Sequence, residues 1–459
     1  MKAYRLLITT LFAALVMPGA GLAQNMEALT VSPGLAAESS MPAILSMRDR
    51  AQLIDSLLED RLQSVVPMLM SREGVDMWII AAREYNEDPV IETMLPATWL
   101  AARRRTILVL SRTASGEIEG LAVARYAVGP LFAASWDPEA QPDQWAALAE
   151  LVAERDPKKI AINVSQTFAL GDGLTFSEHE SMLAALSPKY HDRLVSGGRM
   201  AVGWLETRTA REMEVYPHIV RIARTIIREG FSNAVITPGV TTTDDVVWWY
   251  RDRIRELGLI TWFHPSVSVQ RAESGERDDD FSSRPEPSVI RRGDLLHVDF
   301  GIKYLRLNTD TQQHAYVLRR GEAEAPEGLR AALAVGNRLQ DILTGQFQMG
   351  RTGNEILAGA LAQAASEGIR ATIYTHPIGF HGHAAGPTIG LWDQQGGVPG
   401  RGDYPLYPNT AYSIELNASV AIPEWNGKDV RIMLEEDAFF DGSTTTYIDP
   451  RQVQLYLIR

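Results

Sequence analysis

Asp299 and Asp310 stand eleven residues apart in a stretch that reads as a hairpin. Leu295-Leu296-His297-Val298-Asp299-Phe300-Gly301 has strand character, and a second strand containing Asp310 returns after the turn-prone Leu307-Asn308-Thr309. An aspartate at a strand end is ordinarily a cap or turn residue, so the pair gains meaning only if other acids converge on it. His376-Pro377-Ile378-Gly379-Phe380-His381-Gly382-His383 places three imidazoles within eight residues, and Gly379, Gly382 and Gly386 let the backbone approach a ligand closely. Glu415 interrupts the strand-like run ending at Ile414. Glu435-Glu436-Asp437 interrupts another, between Ile432-Met433-Leu434 and Ala438-Phe439-Phe440. Acids inside apolar strands need a partner.

The elements that must hold these residues follow from apolar spacing. Leu53, Leu57, Leu58, Leu62, Val65, Val66 and Leu69 recur at threes and fours and predict a helix from Arg48 to Ser71. Strands are expected at Met77–Ile80, Thr106–Leu110, Glu117–Ala127 and Lys159–Asn163, with a helix at Gln144–Glu154, an alternation that implies a layered α/β domain. That domain would end near Ser196-Gly197-Gly198, before a helix around Ala210–Arg228. The remainder contains an approximate repeat: Gly239-Val240-Thr241, Asp244-Asp245, Gly258-Leu259, His264-Pro265 parallels Gly350-Arg351-Thr352, Glu355, Gly368-Ile369, His376-Pro377. The matched His-Pro ends favour duplication over two ordinary capping boxes. Trp248-Trp249 are expected to pack on the helix after the first repeat turn.

The 459 residues carry 57 acids against 44 bases, a net charge of −13, which leaves a nucleic-acid role without an electrostatic footprint. The absence of cysteine excludes disulfides, thiolate metal sites and a cysteine nucleophile. Lys2 and Arg5 precede an uncharged run from Leu6 to Met17, then Pro18, Gly19 and the small-residue pattern Gly21-Leu22-Ala23, which reads as a secretory signal (1–23) cleaved near Ala23. The run is shorter than the ~20 residues that span a bilayer, so no membrane association is expected after its removal. The expected address is periplasmic or secreted. Residues 24–46 form a Ser-, Ala-, Gly- and Pro-containing lead-in expected to be flexible.

The order of the chemical residues resembles the pita-bread metallopeptidases, which include Xaa-Pro aminopeptidase, prolidase and methionine aminopeptidase, with creatinase sharing the fold. The resemblance covers Arg48 to the C-terminus and implies a creatinase-type α/β N-terminal domain (47–203) followed by an α+β pita-bread catalytic domain (204–459). The N-terminal part, with Arg83-Glu84-Tyr85-Asn86-Glu87-Asp88-Pro89 after a strand, points to the Xaa-Pro or creatinase branch, because methionine aminopeptidases lack it. The family's ligand order falls on Asp299, Asp310, His376, Glu415 and Glu435, with Glu436 as the alternative for the last. Two divalent ions would neutralise these four carboxylates and permit their burial. An oxygen-rich set without thiolate suits Mn²⁺ best, with Co²⁺ or Zn²⁺ as alternatives. Such a pair would share a hydroxide and polarise an amide carbonyl, with Glu415 moving its proton and His383 lining the cavity rather than binding metal. The implied activity is an exported aminopeptidase for short peptides at Xaa-Pro bonds, in a homodimer or larger assembly.

The chain also departs from the family. Thr311-Gln312-Gln313-His314 follows Asp310 where the family has a Thr-Arg pair, and Phe281-Ser282-Ser283 occupies the place of a substrate-side histidine. Met433 stands for an arginine, with Arg431 on the same strand face. His381 is expected to face solvent or brace a ligand, His297 to be a supporting or core histidine, and His264 to bind no metal. Two other readings remain: a creatinase-like, metal-free C–N hydrolase, and an inactive binding scaffold of the same fold.

Overall fold

The computed structural model describes residues 40–273 and 286–459. Residues 1–23, where a secretory signal is expected, most of the lead-in and Phe281-Ser282-Ser283 lie outside the described residues. The end of the lead-in is held in place rather than loose. Met41, Ile44 and Leu45 pack on the core, His218 Nε2 donates to Ala43 O (2.7 Å), and Leu45 N donates to the Tyr304 hydroxyl (2.9 Å).

Helix α1 (Met47–Glu73) starts on Ser46, whose hydroxyl accepts from Asp49 N, and stops at Gly74 in the left-handed region (φ 63°), the residue type that tolerates this C-cap. It leads into a mixed six-stranded sheet in the order β4-β3-β2-β1-β5-β6. These strands are β1 (Met77–Arg83), β2 (Arg105–Arg112), β3 (Ile118–Val123), β4 (Ala133–Ala134), β5 (Ile160–Ile162) and β6 (Leu194–Ser196). Strand alternation sorts β1 between two cores. Trp78, Ile80 and Ala82 face α1, while Met77, Ile79 and Ala81 face α3 (Gln144–Arg155) through Leu148 and Val152. Helices α2 (Pro89–Met94) and α4 (Phe176–Ala185) complete this α/β part. The boundary expected at 203/204 falls inside α5 (Gly198–Glu206), where buried Trp204 and Leu205 join the same core as α1.

The α+β part repeats one order of elements: helix, helix, strand, hairpin. The first copy is α6 (Ala210–Gly230), α7 (Thr243–Glu256), β7 (Ser266–Gln270) and the pair β8 (Leu295–Phe300) with β11 (Thr311–Val317). Inside that pair sits a small ribbon, β9 (Lys303–Tyr304) with β10 (Leu307–Asn308). The second copy is α8 (Glu327–Thr344), α9 (Gly353–Ser366), β12 (Arg370–Ile373) and the pair β15 (Leu416–Ile422) with β16 (Lys428–Leu434). Each second helix opens on a capping box, Thr242 with Asp245 and Thr352 with Glu355, so the first cap is Thr242 and not Thr241. The His-Pro ends do not correspond. His264 precedes β7, whereas His376 follows β12 and begins β13 (His376–Pro377), because the second copy continues into an extra sheet. That sheet runs β13, β14 (Thr410–Ser413), β17 (Asp437–Phe440), β18 (Thr445–Tyr447), and β19 (Tyr456–Ile458) closes the first one against β11. No described helix is long and apolar enough to cross a membrane.

Candidate active site

The two aspartates are brought face to face by register. Asp299 lies near the end of β8 opposite Gln312, and Asp310 is the residue just before β11. The turn between them is not at Leu307-Asn308-Thr309. It lies at Leu305-Arg306, both left-handed (φ 53° and 67°), a conformation that suits a tight two-residue ribbon. Arg306 holds it by donating to Leu95 O (2.8 Å) and Thr93 O (3.3 Å), contacts with distant residues that no local turn propensity encodes.

The remaining acids arrive where strands change sheet. Glu415 joins β14 to β15, and its N–H is fixed by Thr375 Oγ1 (3.0 Å), the residue beside His376. Glu435 joins β16 to β17 and exchanges backbone hydrogen bonds with Gln312 (3.0 and 3.3 Å), linking two sheets at that point. His376 donates Nδ1–H to Pro377 O (2.9 Å), which turns Nε2 toward Glu435 Oε1 (3.4 Å), Asp310 Oδ2 (3.6 Å) and Glu415 Oε2 (3.9 Å). Potential ligand atoms of Asp299, Asp310 and Glu435 also converge, each within 4.8 Å of the others. Glu436 points elsewhere, accepting from Gln313 (3.1 Å) and Gln452 N (2.8 Å).

Burial and mutual repulsion raise the carboxyl pKa values of Asp310 and Glu415 well above the usual range, burial being the larger cause and Glu435 the next. Burial alone would lower that of His376, but Glu435 and Glu415 outweigh it and bring it to about 9. Asp310 Oδ1 and His376 Nε2 are buried without a hydrogen-bond partner. A set of hard oxygens and one imidazole nitrogen, with such orphaned atoms turned inward, fits divalent cations.

His383 is exposed, its ring edge-on to His376 (4.7 Å between centroids) and to Trp262 (5.1 Å), and one of its nitrogens lies within 4.8 Å of ligand atoms of Asp310 and His376. Although its outer part reaches solvent, partial desolvation of the ring and then His376 lower its pKa to about 4, which keeps the imidazole neutral at pH 7. The loop can pass this close because Gly382 has no side chain: a Cβ there would meet the Trp262 ring at 2.3 Å. His381 is half-buried rather than solvent-facing, its pKa lowered to about 4 by burial and then by Lys303 and Arg208. His264 sits apart, accepting from Arg251 (2.9 Å) against Trp248. Trp248 is 54% exposed and so is less packed than its pattern predicts.

Two supporting residues escape a reading of the sequence. Ser413 donates to Glu435 Oε1 (2.7 Å). Gln312 accepts from His297 Nε2 (2.9 Å) and donates to both Glu415 Oε1 (2.5 Å) and Glu435 Oε2 (2.9 Å). The only signal for Gln312 was its place in the segment that departs from the family. Losing such an outer partner typically costs ~10–100-fold in metal affinity. Gln312→Ala should therefore weaken metal binding by about that factor, read by calorimetric titration, with little change in melting temperature of the metal-free protein; unchanged affinity would reduce Gln312 to a packing residue.

Residues 218–438 match the family model described as metallopeptidase family M24. No curated protein matches the chain in sequence. Among solved structures, the chain is similar to an X-Pro aminopeptidase from Thermotoga maritima (TM-score 0.59, 16% identity, covering 84% of this chain and 99% of that one). It is similar also to a dipeptidase from Pyrococcus horikoshii (TM-score 0.56, 18% identity, 87% and 100%). The N-terminal domain of the FACT complex subunit SPT16 from chickpea shares the fold as well (TM-score 0.50, 11% identity, 88% and 95%). Structural likeness at these identities establishes the fold, and the family match covers the segment that contributes all five converging residues; the chain therefore carries a metallopeptidase domain of family M24.

Proposed function

We propose that the protein is an exported, two-metal aminopeptidase that hydrolyses short peptides, with Xaa-Pro bonds as its substrates. The observation that carries this reading is the convergence of Asp299, Asp310, His376, Glu415 and Glu435 around unpartnered buried atoms. A metal-free C–N hydrolase would have no use for four carboxylates in one pocket, where each one's desolvation adds to the others' repulsion. Two divalent cations, Mn²⁺ in this reading, would activate water and polarise the scissile carbonyl. The chain's own residues then divide the work. Asp299, Asp310 and Glu435 make one group of converging ligand atoms and His376, Glu415 and Glu435 another, and Gln312 and Ser413 hold the glutamates in register. Glu415 is positioned to accept a proton from the attacking water and return it to the leaving amine. His383, neutral and at the mouth, offers an N–H to the amide oxygen as charge develops there.

The inactive-scaffold alternative draws on the altered Gln312 and Met433 positions. Metal analysis of purified protein separates the readings. Two equivalents per chain, and loss of peptide cleavage on chelation with recovery on adding Mn²⁺, are expected; a chain with no metal and no cleavage of Xaa-Pro peptides sinks the peptidase reading. Fractionation of the native cells, with N-terminal sequencing expected to begin at Gln24, tests export. Light scattering tests the proposed homodimer or larger assembly.

A further inference from the structure

At one end of the N-terminal sheet, outside residues 218–438, a cavity of about 340 Å³ opens among the ends of β1 and β3 and the start of β2. That volume lies at the lower end of the range typical of small-molecule sites. Its walls combine a run of consecutive arginines, Arg103-Arg104-Arg105, with Arg125, and the aromatic side chains of Trp99, Tyr126 and Trp136. Arg105 is already committed, with Nε 2.5 Å from Glu178 Oε2. Arg103, Arg104 and Arg125 form no ion pair with any described residue, in a chain whose net charge is −13. Unpaired guanidinium groups gathered on a mostly acidic protein are mutually repelling, and each presents a planar fork suited to a carboxylate or phosphate. The Arg103 guanidinium lies over the Trp99 ring (4.6 Å to its centroid), a cation–π contact that helps hold it at the cavity wall.

The backbone at the rim is strained as well. Arg104 and Tyr85 both adopt left-handed conformations (φ 54° and 67°) without being glycine. Reciprocal hydrogen bonds hold Arg104 there: Glu84 N donates to Arg104 O (2.5 Å) and Arg104 N donates to Glu84 Oε2 (3.2 Å). Such conformations persist where the surroundings over-determine them, and they cluster at binding sites.

We propose that this cavity binds a small anion carried on a flat ring, its carboxylate or phosphate group meeting Arg103, Arg104 and Arg125 and its ring lying against the tryptophans. The role is separate from peptide hydrolysis and does not depend on it. Glu84 is the one carboxylate on the wall, and it limits affinity for anions.

The test uses the full metal-loaded chain, with tryptophan fluorescence and calorimetry as readouts. The probes are adenosine 5′-monophosphate for the phosphate source, benzene-1,2-dicarboxylate for the carboxylate source, and inorganic phosphate as the ringless control. At least one ring-bearing anion should bind about tenfold or more tighter than inorganic phosphate, weakening with added salt. The double variant Arg103→Ala/Arg125→Ala should lose about tenfold or more of that affinity with metal content and melting temperature kept, and Glu84→Gln should tighten it. Absence of binding by both ring-bearing probes at millimolar concentration, or affinity unchanged in the double variant, overturns the proposal. Equal binding of inorganic phosphate would overturn the role of the rings.

Discussion

Asp310→Asn is expected to strip the metal from the protein and abolish peptide cleavage. Asp310 is 3% exposed, its Oδ2 is 3.6 Å from His376 Nε2, and its Oδ1 has no hydrogen-bond partner. An amide there removes a charge and turns an N–H toward a cation. The loss in metal affinity should exceed the ~10–100-fold typical of a merely supporting partner. The thermal stability of the same variant should move in opposite directions with and without metal. In the metal-free chain Asp310 has a carboxyl pKa raised far above its unfolded value, so its contribution to stability is fully present below pH ~4 and is lost as pH rises toward the folded value. Removing that titration should raise the melting temperature of the metal-free variant over that of the metal-free parent at pH 7. In the presence of metal the parent should instead be the more stable, because binding to the folded state adds to its stability. Retention of two ions with full activity would falsify the ligand assignment.

His383→Ala is expected to keep both metals while kcat falls by about two to three orders of magnitude, the range for removing one donor to a developing oxyanion. The imidazole stands edge-on to His376 and Trp262 at an exposed position, where a substrate amide can reach it. Ground-state binding depends on it less, so KM should change little. Because one of its nitrogens also lies near Asp310 and His376, metal content decides between the two roles: loss of an ion would make His383 a ligand. His381→Ala is the companion variant. Its Nδ1 is buried without a hydrogen bond and it belongs to no group of candidate ligands, so its effect on kcat should be mild. Equal, mild effects from both variants would make the histidines loop braces.

Much of the fold was legible because local and global preferences agree. The spacing of Leu53, Leu57, Leu58, Leu62, Val65, Val66 and Leu69 predicts α1; five of these seven are buried, Leu53 and Leu62 are half-buried, and the helix buries Arg61 and Met70 as well. The strand expected at Met77–Ile80 is the start of β1, whose apolar run is buried on both faces, between two cores. Capping chemistry placed the paired helices α7 and α9 to within one residue. Mispredictions fell where distant contacts override local signals. Turn-forming Asn308 is buried in the ribbon because Arg306 is anchored to Thr93 and Leu95, more than two hundred residues away in sequence. Near-equal spacing to two His-Pro pairs suggested equivalence, yet spacing carries no information about which side of a strand each pair occupies.

The site divides in the same way. By itself, the sequence determined which residue types were available: acids inside apolar strands, an imidazole-rich glycine loop, and no cysteine. These are covalent facts that burial then turns into chemistry, since a buried acid must find a counter-charge or a proton. The choice between Glu435 and Glu436 was beyond it. Adjacent residues at a strand junction face opposite sides, and only the bridge from Glu435 to Gln312 sets which side meets Asp299 and Asp310. The same holds for Gln312, whose amide joins Glu415 and Glu435 across three strands. Its role arises from the packing of sheets against one another, a relation between residues 103 and 123 positions apart that no local pattern records.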